Sequence, residues 1–174
     1  MQKLLIVTIL LLSLTLNAKA AEASQVQQKM SMTDITGKTY AVTGTKQGLK
    51  IEGLEGKVVF LEFFGHRCPP CLASIPHLNN LQNKYKDKLA IISIEVQGYN
   101  HAQATKFAKD KKMNYTVVSE EKASELVSYV QQRAQWRGSI PFLVVLDTKG
   151  DFQFAQVGML PEESLEELIG QLSK

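Results

Sequence analysis

The chain has only two cysteines and one tryptophan in 174 residues. A secreted scaffold framed by disulfides carries several pairs at scattered positions, so bridges do not frame this fold. Neither a G-x-G-x-x-G run nor a G-x-x-x-x-G-K-[ST] run occurs, so the common phosphate-cradling loops are missing. Internal repeats and low-complexity tracts are also missing. Eleven glycines and five prolines are too few for a collagen-like or disordered chain. No charge of one sign dominates, with 20 Lys and Arg against 17 Asp and Glu.

What remains is an ordinary globular composition, 44% apolar and 21% charged. The length suits one domain with a real core better than two. The first twenty residues stand apart. "MQKLLIVTILLLSLTLNAKA" holds Lys3, an apolar run from Leu4 to Leu16, and small residues at Ala18 and Ala20. That order is the pattern of a secretory signal with its cleavage site. A run of about thirteen residues falls short of the roughly 20 that span a bilayer, so a cleaved signal over 1–20 is expected before an uncleaved anchor. Without Lys3 and Lys19 the balance is 18 basic against 17 acidic, a net +1. The basic excess therefore gives no argument for nucleic acid. Lys109, Lys111 and Lys112, clustered with Asp110, read as a solvated helix face.

Residues 21–36 are polar apart from Met30 and Met32 and read as a flexible N-terminal arm, with the domain proper over 37–174. Gly-rich, alternating sequence over 37–57 reads as one or two short strands with turns. "KVVFLEFF" is nearly all apolar, β-branched or aromatic, as a strand buried on both faces requires. From Cys68, Leu72, Ile75, Leu78, Leu81 and Tyr85 recur at helical spacing, with Pro76 inside the pattern. "KLAIISIEVQ" reads as a second buried strand. Asn100 is placed to cap a helix through Lys112. After the short strand "YTVVS", Ser119 is expected to cap a helix over "EEKASELVSYVQQRA". "IPFLVVLD" and "FQFAQVG" flank a turn, and Pro161 opens a last helix. Helices interleaved with buried strands imply an α/β sandwich with parallel pairs in its sheet.

Cys68 and Cys71 fall where a buried strand gives way to a helix. A helix N-terminus offers unpaired N–H groups and the positive end of its dipole, and both favour a thiolate. Only the thiolate attacks a disulfide. Cys71, one turn further on, is the more shielded position, so the spacing gives an exposed attacker and a buried resolver. Two rival readings are weaker. A bridge across so short a loop removes little chain entropy. A full zinc site usually takes four ligands, and His66, His77 and His101 are scattered.

"FLEFFGHRCPPC", a proline five residues after the second cysteine, and "WRGSIPFLVVLDTKGDFQFAQVG" together resemble the thioredoxin superfamily. The segment between "IISIEV" and "SIP" resembles the exported TlpA/ResA-like thiol–disulfide oxidoreductases. The resemblance covers residues 37–174 and implies a thioredoxin-like three-layer sandwich with a central mixed sheet. It makes Cys68 the nucleophile, Cys71 the resolving cysteine and Glu62 the buried acid that takes the resolving cysteine's proton. An apolar setting should raise the pKa of that acid. Pro141 matches the family's cis-proline, and Ile140 before it would offer backbone groups to an extended substrate. Arg67, Pro69 and Pro70 would form the substrate-facing rim.

Arg67 departs from the tryptophan usual before the first cysteine. A cation there favours the thiolate and a more oxidising couple. Pro69 and Pro70 remove two N–H donors and favour a more reducing one. Trp136 either shares that surface or simply packs. The resemblance implies a periplasmic oxidoreductase, most simply a reductase serving cytochrome c maturation or a similar task. Its partners would be protein thiols or disulfides and a membrane-bound electron donor or acceptor. Neither a cofactor nor a metal is expected. A DsbA-like oxidase or isomerase, a copper or zinc chaperone, and a thioredoxin-fold interaction protein without turnover stay open as alternatives.

Overall fold

The computed structural model describes residues 27–174. The signal expected over 1–20 and the start of the expected arm lie outside the described residues.

The rest of that arm is not loose. Lys29–Thr33 forms strand β1, with Met30 and Met32 buried and Lys29 and Ser31 exposed. Polar composition concealed a period-two pattern in which two methionines alone carry the buried face. β1 pairs antiparallel with β2 (Thr39–Gly44), and β2 with β3 (Leu49–Ile51). Asp34 closes the first turn by accepting the Thr36 and Lys38 N–H groups. Gly37 supplies the positive φ, +89°, that this turn needs. The ordered domain therefore begins well before residue 37.

β4 (Val58–Phe64) is buried at every position. It leads into α1 (Pro69–Lys84), which continues through Pro76. β5 (Leu89–Glu95), α2 (His101–Asp110) and β6 (Thr116–Ser119) follow. Asn100 and Gln103 form a reciprocal capping box at the start of α2. Ser119 caps nothing: its side chain makes no capping bond. Glu120–Lys122 instead forms one 3₁₀ turn, and α3 (Ser124–Arg133) restarts after Ala123. Ala123, at the break between the two, is buried in the core at 1% exposure. β7 (Phe142–Leu146), β8 (Phe152–Val157) and α4 (Glu162–Leu172) complete the chain.

The five-stranded sheet has the order β6-β5-β4-β7-β8. β4, β5 and β6 run parallel, while β7 is antiparallel to both β4 and β8. Alternation along β4 divides the core. Val59, Leu61 and Phe63 face a layer made by β1–β3 and α3. Val58, Phe60 and Phe64 face a layer that includes α1 and α4. This is the three-layer thioredoxin-like sandwich with a mixed central sheet. β4, at its centre, ends beside the cysteine pair.

Candidate active site

Cys68 is the N-cap residue of α1, with extended backbone. It is bridged to Cys71 with a Cα–Cα distance of 5.2 Å. Its sulfur accepts the Cys71 N–H at 3.3 Å. Pro69 and Pro70 occupy the first turn and carry no N–H. The anion-stabilising end of the helix is thus reduced here to a single amide near the sulfur. In this bridged state the contrast between the cysteines is smaller than expected. Cys68 is 6% exposed and Cys71 1%, because the short bridge folds the outer sulfur against the inner one.

Glu62 sits on β4 two residues from Phe60 and from Phe64, so period two turns it toward the cysteine layer. It is 5% exposed. Burial is the largest influence and pushes its pKa up to about 7, against the opposing pull of hydrogen bonds from Ser93 and Ser74. Ser93 stands beside it in register on β5 and donates to Oε2. The Ser74 hydroxyl lies 3.1 Å from Glu62 Oε1 and 2.8 Å from the Cys71 carbonyl oxygen. One hydroxyl has one hydrogen to give. Both contacts are met when Glu62 is protonated, donating to Ser74 while Ser74 donates to Cys71. Ser74 therefore links the buried acid to the backbone of the inner cysteine.

The Ile140–Pro141 bond is cis. Ile140 packs against the apolar cluster that holds both cysteines. Pro141, Glu62, Ser74, His77 and Met159 share a narrow cleft of about 30 Å³, room for about one water. The structure thus gathers Cys68, Cys71, Glu62, Ile140 and Pro141 into one locus. Arg67, Pro69 and Pro70 form its exposed rim. Arg67 is tied there through its backbone, whose N–H donates to Gln97 Oε1 at 2.8 Å. Among the described residues no group of three His, Cys, Asp or Glu side chains converges in a way that would hold a metal ion.

Trp136 belongs to the opposite layer, 6% exposed, and stacks on Phe142 at 5.1 Å. Its indole N–H donates to the Ser139 carbonyl at 2.7 Å, two residues before Pro141. It does not replace the tryptophan missing at position 67, but it anchors the loop that carries Ile140. A Trp136→Phe variant keeps the stacking and loses the donor. It should cost about 1–2 kcal/mol, the scale of one buried hydrogen bond, read from urea midpoints by circular dichroism because no other tryptophan reports fluorescence.

Ser74, Ser93 and Glu95 escaped the sequence reading. Ser93 and Glu95 were visible as polar interruptions of the apolar run "IISIEV", and Ser74 follows Cys71 by about one helical turn.

Comparison with known proteins agrees with this geometry. The model of the Redoxin family matches residues 25–169. The thioredoxin-like protein YneN of Bacillus subtilis (strain 168) is 26% identical over 146 residues, covering 83% of this chain and 79% of its own. The thiol–disulfide oxidoreductase ResA of Bacillus cereus is 30% identical over 131 residues, covering 74% of this chain and 70% of its own. A thioredoxin-family thiol:disulfide interchange protein from Chlorobium tepidum TLS superposes with a TM-score of 0.69 at 19% identity, over 84% of this chain and 94% of the other.

Proposed function

The chain belongs to the Redoxin family, among the TlpA/ResA-like thiol–disulfide oxidoreductases of the thioredoxin superfamily, and from that premise we propose that it is an exported reductase of protein disulfides. Thiol–disulfide exchange between its C-x-x-C pair and protein thiols or disulfides is its chemistry. The direction, the compartment and the individual residue roles are our reading.

In that reading Cys68 attacks a substrate disulfide and a mixed disulfide forms. Glu62 takes the proton of Cys71, whose thiolate then attacks the Cys68 sulfur and frees the reduced product. Ile140 and Pro141 align the extended substrate, and Arg67, Pro69 and Pro70 meet it at the rim. Export rests on the signal-like first twenty residues. Among the described residues no helix is long and apolar enough to cross a membrane. A membrane-bound donor would return electrons through the same pair, since the chain has no other cysteines.

The observation that carries the reading is Glu62, a buried acid whose pKa near 7 suits a proton acceptor, linked through Ser74 to Cys71. The reducing direction is supported by the two prolines. With a single amide near the sulfur, the Cys68 thiolate gains little stabilisation, and a poorly stabilised thiolate makes a more reducing couple. Arg67, exposed and tied only through its backbone, offers a weaker opposing effect.

Equilibration against glutathione tests the direction. The couple is expected below about −220 mV, among the reductants. A value near about −120 mV, the range of a strong periplasmic oxidant, would overturn the reductase assignment.

A further inference from the structure

Two residues before Cys68, His66 departs from solvent in a way the exchange scheme above does not use. Its Nδ1 lies 2.8 Å from Glu95 Oε1. Its side chain is 12% exposed, while that of Glu95 is fully buried. The imidazole stacks on the Tyr99 ring at 3.6 Å and 8°, and Tyr99 rests edge-on against Phe107. Glu95 also accepts the N–H groups of Gln97 at 3.0 Å, of Tyr99 at 2.8 Å and, at 3.4 Å, of His66 itself. Gln97 in turn accepts the Arg67 N–H. At Gly65 a Cβ would collide with the Gln97 side chain, so a larger residue there would displace the group that accepts the Arg67 N–H. Charged and titratable neighbours of the cluster are Arg67 on the same loop, Glu120 after β6 and Lys106 on α2.

A fully buried carboxylate is costly unless its oxygens are paired. This one is paired with the two loops that frame the active turn and with one imidazole nitrogen. A carboxylate at Nδ1 has no hydrogen to give, so Nδ1 carries the hydrogen and the tautomer is fixed. Stacking on Tyr99 fixes the ring plane. Nε2 is left as the nitrogen able to exchange a proton. His66 stands two residues before the nucleophile in the chain, and an oriented imidazole steered by a carboxylate behind it is a general arrangement for acid–base assistance to nucleophilic attack.

We propose that His66 is the outer proton-transfer residue of the exchange reaction, oriented by Glu95 and Tyr99, and that it protonates the sulfur leaving the substrate. The assignment rests on the exchange chemistry above and adds a second proton site to it. Glu62 serves the inner cysteine and His66 the outer face. His66 takes the proton of the Cys68 thiol as the thiolate forms. The thiolate attacks one sulfur of the substrate, the S–S bond breaks, and a Cys68–substrate disulfide forms. The departing sulfur takes both electrons of the broken bond and receives the proton from Nε2. The imidazole is unchanged over the step, and one disulfide has replaced another.

The test compares two substrates that differ in how much the leaving sulfur needs a proton. Glutathione disulfide releases a basic alkyl thiolate. The aromatic disulfide 5,5′-dithiobis(2-nitrobenzoate) releases a weakly basic thiolate that departs without one. His66→Gln keeps a donor for Glu95 but has no transferable proton. The ratio of the glutathione-disulfide rate to the aromatic rate is expected to fall by about 10- to 100-fold, the lower range of general acid–base effects. Equal loss with both substrates would mean that His66 does not protonate the leaving sulfur, and no loss that it takes no part in the step, and either result overturns the proposal. Far-ultraviolet circular dichroism reports whether the variant is folded, and His66→Asn is the second variant if it is not. In the native protein the rate should depend less steeply on leaving-thiol pKa than exchange by a free thiolate does, and equal steepness also overturns the proposal. A native protein that reduces neither disulfide would refute the exchange reading itself, a different result from an unchanged ratio.

Discussion

A Cys71→Ser variant is expected to accumulate a disulfide between Cys68 and its substrate, and a Cys68→Ser variant to form none. The two sulfurs lie within one helical turn but are unequally placed. Cys68 caps the helix at its end, and Cys71 sits inside it under a fully packed layer. With serine at 71 the first attack proceeds and nothing resolves it. With serine at 68 the remaining sulfur is the 1% exposed one, out of reach of a folded partner. Turnover in both should fall by about 10³-fold or more, the scale set by losing a reacting group. Non-reducing electrophoresis followed by mass spectrometry distinguishes them. Equal trapping by both variants would mean that the cysteine order is wrongly assigned. Absence of trapping by Cys71→Ser, with an exposed protein disulfide as substrate, would mean that the pair does not turn over.

Glu62→Gln should slow the enzyme and stabilise the fold. Gln fills the same volume and keeps hydrogen-bond partners for Ser74 and Ser93, but takes no proton from Cys71. Resolution of the mixed disulfide should slow by about 10²-fold, a usual loss for a general base, most visibly near neutral pH. Stability moves the other way. The native carboxyl titrates at about 7 against an ordinary 4.5. Between those values the folded state holds a proton that the unfolded chain has released. The contribution of this group is therefore greatest below about pH 4.5 and falls as pH rises to about 7, by about 3 kcal/mol in all. Gln does not titrate, so this slope disappears. Urea unfolding of both proteins from pH 4 to pH 8 should show the variant gaining on the native protein with rising pH. Parallel curves would place Glu62 in contact with solvent, contrary to its burial.

Much of this site was legible because it is local. A run as apolar as "VVFLEFF" has one suitable place, the centre of the sheet, and an acid inside it cannot reach water. Two cysteines three apart at a strand-to-helix junction carry their own geometry. The helix cap at Asn100 was readable for the same reason. What escaped depends on residues distant in sequence. His66 and Glu95 meet across 29 residues, and nothing near either residue signals the other. Ser93 matters only through its register beside Glu62. β1 carries its burial on two methionines in a polar stretch, too weak a period to outweigh composition. Trp136 was read by its nearness to Pro141, but its place was decided by Phe142, which stacks on it, and Phe63, which packs against it at a tilt on the far layer.

The pairing of β4 sets an order of events during synthesis. Its parallel neighbour β5 begins at Leu89, but its antiparallel neighbour β7 begins only at Phe142. A chain leaving the ribosome presents both thiols before the strand that closes the sheet exists. Closure across so many residues is slow compared with contact between sulfurs three residues apart. The nascent polypeptide thus brings its two sulfurs within reach of each other as a short-range event and gains their shelter, with the buried acid that serves them, only as a long-range one.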